Sequence, residues 1–251
     1  LDGQRGGPWL AGLLGARSFR STRVESYVLG LEDDGGAERS HVTLGIRTRA
    51  SAGSWGGELE LAHQRGTRGS ADGELEHRAW FVHADLSRTI GRSRAFALFD
   101  LATGDDDPDD DRSGRFDTLF GARRFEFGPT GIWGQFARAN LVSPGLRLTG
   151  PVAGAQAMLT WRAFWLHRAR DGWAGGGLRD PDGRSGNYVG QQIETRIRVR
   201  PPITGLALEA GAAFLLPGTF IEETSTAGGD LASVVYLQAT IAFDTNTGDD
   251  E

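Results

Sequence analysis

The 251-residue sequence contains no cysteine, no lysine and one methionine. Without cysteine there are no disulfide staples and no thiol chemistry. Without lysine, every basic side chain is arginine, permanently charged and able to grip carboxylates bidentately. No stretch approaches the roughly 18 consecutive apolar residues of a transmembrane helix. The hydrophobic fraction of 39% is low for a helical membrane protein. A mean hydropathy of -0.34 still permits a membrane β-barrel, which hides its membrane content in half of each strand. A net charge of -6 argues against nucleic acid as a partner. The chain begins at Leu1 with neither an initiator Met nor a signal peptide. That reads as a leader already removed or as the later part of a longer chain.

What the sequence does have is glycine, 38 residues of it, and long alternating segments. The segment 233–243 is the clearest. Val235, Leu237, Ala239, Ile241 and Phe243 fall on one face, and Tyr236, Gln238, Thr240 and Ala242 on the other. Its length suits a tilted strand crossing a bilayer, and it ends on an aromatic residue. Ten strands are predicted, at about 19–31, 41–50, 55–65, 77–87, 94–103, 131–141, 155–168, 188–200, 206–215 and 233–243. Residues 9–16 read as a further strand or the end of a missing one, and 147–149 as an extension of the sixth or a piece on its own. Tight Gly-, Ser- and Pro-containing turns at 51–54, 89–93 and 201–205 alternate with longer polar connections at 32–40, 66–76, 104–128, 169–187 and 217–232. Short turns on one rim and long loops on the other characterise outer-membrane barrels. The expected fold class is all-β, an antiparallel transmembrane β-barrel of about ten strands. It forms a single domain over 1–243, lacking N-terminal strands, with an acidic tail at 244–251. A large antiparallel sheet with one solvated face, or a lipocalin-like barrel, is the soluble alternative.

The two faces differ in charge. On 41–50, Val42, Leu44 and Ile46 oppose Thr43, Gly45, Arg47 and Arg49. On 55–65, Leu59 and Leu61 oppose Glu58, Glu60 and Gln64. On 155–168, Leu159, Trp161, Ala163 and Trp165 oppose Thr160, Arg162 and Arg168, with Phe164 and Leu166 as exceptions. On 188–200, Val189, Ile193, Ile197 and Val199, sharing their face with Gln191 and Thr195, oppose Gln192, Glu194, Arg196, Arg198 and Arg200. Such faces are too charged for a dry core, because burying an unpaired charge costs several kcal/mol. Lipid outside and a wet lumen satisfy both faces. Dispersed tryptophans, among them Trp9, Trp55, Trp80 and Trp133, suit interfacial girdles or ordinary packing.

Other constellations carry less. Six aspartates surround Pro108 in 105–111, but the run lacks the spacing of a calcium loop and reads as a solvated loop. The five histidines (41, 63, 77, 83 and 167) show no metal-ligand spacing. His83 and Asp85 share a face, yet no motif marks a nucleophilic serine beside them. Gly175, Gly176 and Gly177 lack the strand–turn–helix setting of a phosphate loop. Neither a metal, a cofactor nor catalysis is expected. The lumen arginines either favour anion passage or pair with Glu58, Glu60, Glu194 and Glu209 in cross-strand ladders.

The part from about residue 104 onward resembles the alginate-export (AlgE-like) family of outer-membrane barrels. The resemblance rests on Gly104 and Asp105, on Phe116, Asp117, Thr118, Leu119 and Phe120, and on Phe164 and Trp165. It continues through Tyr188, Val189, Gly190, Gln191, Gln192, Ile193 and Glu194. Phe214, Pro217, Gly218, Thr219, Phe220 and Ile221 follow, then Tyr236, Leu237 and Gln238. Thr118 and Gly121 depart from it, standing where the family tends to have proline. The resemblance implies a bacterial outer-membrane channel for passive export of anionic solutes, such as an acidic polysaccharide. It also implies periplasmic export-complex partners and a barrel of about eighteen strands. Arg47, Arg49, Arg162, Arg196 and Arg198, with Gln192 and Glu194, are the expected lumen residues. A rim enzyme of lipase or protease type and a structural barrel with a plugged lumen are the alternatives.

Overall fold

Alternating side chains separated by tight turns produce one long antiparallel meander. The computed structural model describes residues 7–35, 38–70, 73–119, 127–128, 134–226 and 229–242. Phe120, Gly121, Trp133, Phe243, the tail 244–251 and the start of the predicted strand 131–141 lie outside them. The strands are β1 (Trp9–Phe19), β2 (Thr22–Asp33), β3 (Arg39–Ala52), β4 (Trp55–Ser70), β5 (Gly73–Ile90) and β6 (Ser93–Ala102). A two-residue β7 (Arg112–Ser113) precedes β8 (Leu141–Val152), β9 (Ala155–Trp165), β10 (Tyr188–Val199) and β11 (Leu206–Pro217). A short helix α1 (Thr219–Thr224) leads to β12 (Ala232–Ile241). Neighbours pair in sequence order from β1 to β12, with β7 set aside against β5. Among the described residues β1 and β12 each have one neighbour, so the sheet is open between them.

Turn chemistry fixes the registers. The connections at 20–21, 53–54, 91–92 and 153–154 are two-residue turns. Ala153 and Gly154 both take positive φ, 48° and 82°, which matches the right-handed twist of the flanking strands. The opposite rim carries the long connections, above all 103–140 and 166–187.

Burial is inverted relative to a soluble protein. Large apolar side chains such as Leu13, Leu44, Leu59, Trp80, Val235 and Leu237 are exposed, Leu237 to 81%. Glu60, Gln64, Asp100, Arg162, Gln192 and Glu194 are buried. Such an apolar belt fits contact with hydrocarbon. The apolar core lies at the long-loop end, where Phe136, Trp173, Phe220 and Ile221 of the connections pack on Phe164, Leu166 and Val189.

Several expectations need correction. Residues 134–140 form no strand; the chain there lies against the sheet, and the strand that pairs with β6 is β8, from Leu141. The loop foreseen at 66–76 is a continuation of β4 and β5 down to a two-residue connection. Polar composition ends the apolar band there but not the hydrogen-bond ladder. Residues 9–16 belong to a full strand, β1, and the 217–232 loop contains α1. Val189 is fully buried rather than outward, because the ladder slips between Tyr188 and Gly190, where Gly190 takes φ 144°. Phe164 and Leu166 face inward because they receive the aromatic side of the long connections.

Gly45 marks a tight joint on the polar face, since a methyl added there would overlap the Tyr27 ring. Gly15→Ala meets open space. Gly45→Ala should lower stability by about 1–3 kcal/mol, the usual cost of overpacking, while Gly15→Ala should shift it by under about 1 kcal/mol. Urea midpoints of the folded barrel, read from heat-modifiable gel migration, check this; equal midpoints would refute the joint.

Candidate functional site

Strand register lines the polar faces into rows of charge. Glu25, Arg47, Glu60, His83 and Asp100 stand opposite one another from β2 to β6. Arg23, Arg49, Glu58 and Asp85 form the row beside it. Opposite charges across a strand pair stabilise: Glu25, Arg47 and Glu60 alternate in sign, whereas in the second row only Arg49 and Glu58 are an opposite pair and Arg23 faces Arg49 as Glu58 faces Asp85. Arg47 and Arg49 converge on the two oxygens of Glu58, with Arg49 Nε 2.6 Å from Oε2. Tyr27 donates to Glu60 at 2.7 Å.

Across β5 to β9 the pairing is more deeply buried. Asp100, 3% exposed, lies 2.7 Å from His83 Nδ1 through one oxygen and 2.7 Å from Arg162 Nη1 through the other. Arg162 also donates to the Ser143 hydroxyl at 3.1 Å and carbonyl at 3.3 Å. His83 therefore meets Asp100 rather than Asp85, and no hydroxyl among the described residues bonds to its ring. On β10 and β11, Arg198 Nε lies 2.9 Å from Glu209, whose other oxygen accepts from Tyr236 at 2.8 Å.

The structure thus brings Arg162, Gln192, Glu194 and Arg196 together on β9 and β10, while Arg47 and Arg49 sit on β3 and Arg198 near the short-turn end. Glu194 lies within electrostatic reach of Arg147, Arg196 and Arg162. Arg147 was not anticipated. It donates to the Thr160 hydroxyl at 3.1 Å, and Arg196 lies 3.4 Å from the Met158 sulfur. Neither closes an ion pair within 4.0 Å among the described residues, unlike the other arginines expected in the lumen. Asp100 was also missed, although a lone carboxylate on the face of β6 that carries Phe96 and Leu98 could have flagged it.

Described parts of the 103–140 connection lie against this polar face. Phe116 rests on Phe81, ring centroids 5.4 Å apart. Gln64 donates to the Asp117 carbonyl and accepts from its amide, both at 2.8 Å. Arg39 bridges Asp117 at 2.8 Å and Asp33 at 2.7 Å. Burial works against the charge on Asp117, but Arg39 and the Leu119 amide outweigh it and hold its carboxyl below the usual aspartate range. Farther along, the Phe127 carbonyl accepts from Gln192 at 2.8 Å, and Phe136 stacks on Phe164 at 3.6 Å. The acidic run is partly structured: Asp107 and Asp109 reach Arg170 at 3.2 and 3.4 Å. Among the described residues no group of three acidic, His or Cys side chains is placed to hold a metal ion.

Comparisons with known proteins agree with this geometry. Residues 11–234 match the family model described as alginate export. No curated protein matches the chain. The structure superposes on the outer membrane protein OpdK from Pseudomonas aeruginosa with a TM-score of 0.56 and 14% identity. The match covers 92% of this chain and 56% of OpdK, so the chain spans little more than half that protein's length. With the inverted burial and the meander, these matches identify a β-barrel of the bacterial outer membrane, and the chain belongs to the alginate export family.

Proposed function

We propose that the chain forms the wall of an outer-membrane channel that passes anionic solutes, with acidic polysaccharides as the substrate class. The observation that carries this reading is the contrast among lumen arginines. Arg47, Arg49, Arg162 and Arg198 are held by carboxylates. Among the described residues Arg147 and Arg196 close no ion pair within 4.0 Å; they meet a hydroxyl and a thioether, with the carboxylate of Glu194 within electrostatic reach of both and that of Asp85 within reach of Arg147. Their charge is available to a passing carboxylate, while the paired arginines shape the wall. The His83–Asp100–Arg162 chain is structural in this reading, and the protein is a transporter rather than a rim enzyme. A plugged lumen is the second reading, favoured by the anchoring of the 103–140 connection through Gln64 and Phe164.

Single-channel recordings in planar bilayers separate the two. An open channel gives discrete conductance steps, and a plugged barrel gives none. Replacing both Arg147 and Arg196 by Ala should lower the anion-to-cation permeability ratio about fivefold, the factor for roughly 1 kcal/mol from a unit charge ~4 Å away in water. Unchanged reversal potentials would assign these arginines a structural role.

The loop anchor predicts a pH response with a definite sign. A carboxyl depressed by its partners contributes stability above its unfolded pKa, near 3.9. That contribution is lost as pH falls through the lower native value. Protection of the 114–119 amides from hydrogen exchange, relative to their intrinsic rates, should therefore fall only below about pH 4, and Asp117→Asn should produce a similar loss of protection at pH 7. Equal exchange in the variant would remove Asp117 from the anchor.

A further inference from the structure

Arg65 on β4 and Arg78 on β5 stand directly opposite one another in the register. Both are exposed. Period-2 alternation puts Arg65 on the face of Leu59, Leu61 and His63, and Arg78 on the face of Trp80 and Leu86, which is the lipid side. Like charges directly opposite destabilise a strand pair, with Cβ atoms only about 5 Å apart. No ion pair within 4.0 Å relieves either guanidinium among the described residues. The strand neighbour of Arg65 on the other side is Val42. Glu76 stands two residues before Arg78 on the same face, and Asp106 shares a recess with Arg78, Glu76 and Arg112. Neither carboxylate pairs with Arg65 or Arg78.

The surroundings form an amphipathic cradle. One row toward the membrane centre, His63 is fixed by a 3.1 Å contact to the Ala79 carbonyl and packs tilted on Trp80, 4.1 Å between centroids. Below that ring pair lies an apolar groove of about 620 Å³, walled by Leu13, Val28, Leu44, Ile46 and Leu61 with Gly45 in its floor. The two arginines lie toward the rim that carries the long connections, the outward side of an outer-membrane barrel.

We propose that Arg65 and Arg78 together hold a phosphate of an outer-leaflet glycolipid, with one acyl chain seated in the groove beneath His63 and Trp80. A phosphate offers each guanidinium a bidentate partner and turns a like-charge opposition into a bridge. The site is separate from the lumen and does not depend on which solute the channel passes.

Native mass spectrometry of the whole detergent-purified protein tests this with three probes: bis-phosphorylated lipid A, its dephosphorylated form and phosphatidylglycerol. The wild type should retain phosphorylated lipid A above both other probes. The Arg65→Gln/Arg78→Gln protein should bind it roughly 10- to 30-fold more weakly, as expected for two lost lipid-facing charges. Arg65→Gln alone should fall between them. Heat-modifiable migration confirms that each variant is folded, and its channel conductance should match the wild type because neither side chain faces the lumen. Equal lipid A retention by the folded double variant would overturn the proposal. So would wild-type retention of the dephosphorylated form or of phosphatidylglycerol at the level of lipid A.

Discussion

A carboxylate as buried as Asp100 can remain ionised in a sheet only when each of its oxygens meets a partner, here His83 on one side and Arg162 on the other. Removing one member of such a group leaves a charge stranded, at a cost of about 3–5 kcal/mol. The polar face of the sheet depends on this arrangement. Arg162 in turn reaches across to Ser143, so four strands, β5, β6, β8 and β9, are tied by side chains as well as by backbone. Backbone bonds alone fix strand spacing and leave the polar face undefined. The charged rows give that face a single arrangement, because a register slip of one residue would turn every charge toward lipid.

The seat of Arg162 depends on residues that look unfavourable in isolation. Pro144 has no amide to donate, and the β8–β9 ladder skips from Val142 to Gly145 at that point. The Ser143 carbonyl beside the gap accepts from Arg162 instead. A side chain at Gly145 would press on the Arg162 stem and the Trp161 carbonyl. A local break in the sheet is thus used to admit a guanidinium, and the polar interior and the imperfect strand have one cause. Phe127 of the 103–140 connection then meets the Arg162 guanidinium, 5.2 Å from its ring centroid.

Period-2 patterning made β2 to β6 and β9 to β12 legible, since lipid on one side and water on the other write alternation directly into the sequence. β8 was nearly invisible because Pro144, Gly145 and Pro151 interrupt the pattern. β1 was faint because Leu10, Leu13 and Leu14 place apolar side chains on both faces. The arginine positions were legible as a face but not as a set of pairs. Alternation says which way a side chain points, while pairing depends on registers set by turns such as Ala153 and Gly154. Arg147 escaped for the same reason as β8, the strand that carries it. Phe164 stood out as an exception to its strand, and it marks the place where Phe136 docks.

These relations divide the arginines into three kinds. Arg162 and Arg39 hold the fold together, since each joins elements that the meander leaves apart. Arg47, Arg49 and Arg198 line the polar face in direct ion pairs, the first two sharing Glu58 and the third held by Glu209. Arg147 and Arg196 close no direct ion pair among the described residues, with Glu194 within electrostatic reach of both and Asp85 within reach of Arg147. A uniformly basic wall would bind an anionic polymer too tightly to release it, because conduction needs sites weak enough to leave. Under the proposed passage of anions, a wall of ion-pair ladders with two guanidiniums outside any direct pair gives an anion local attraction without a continuous trap.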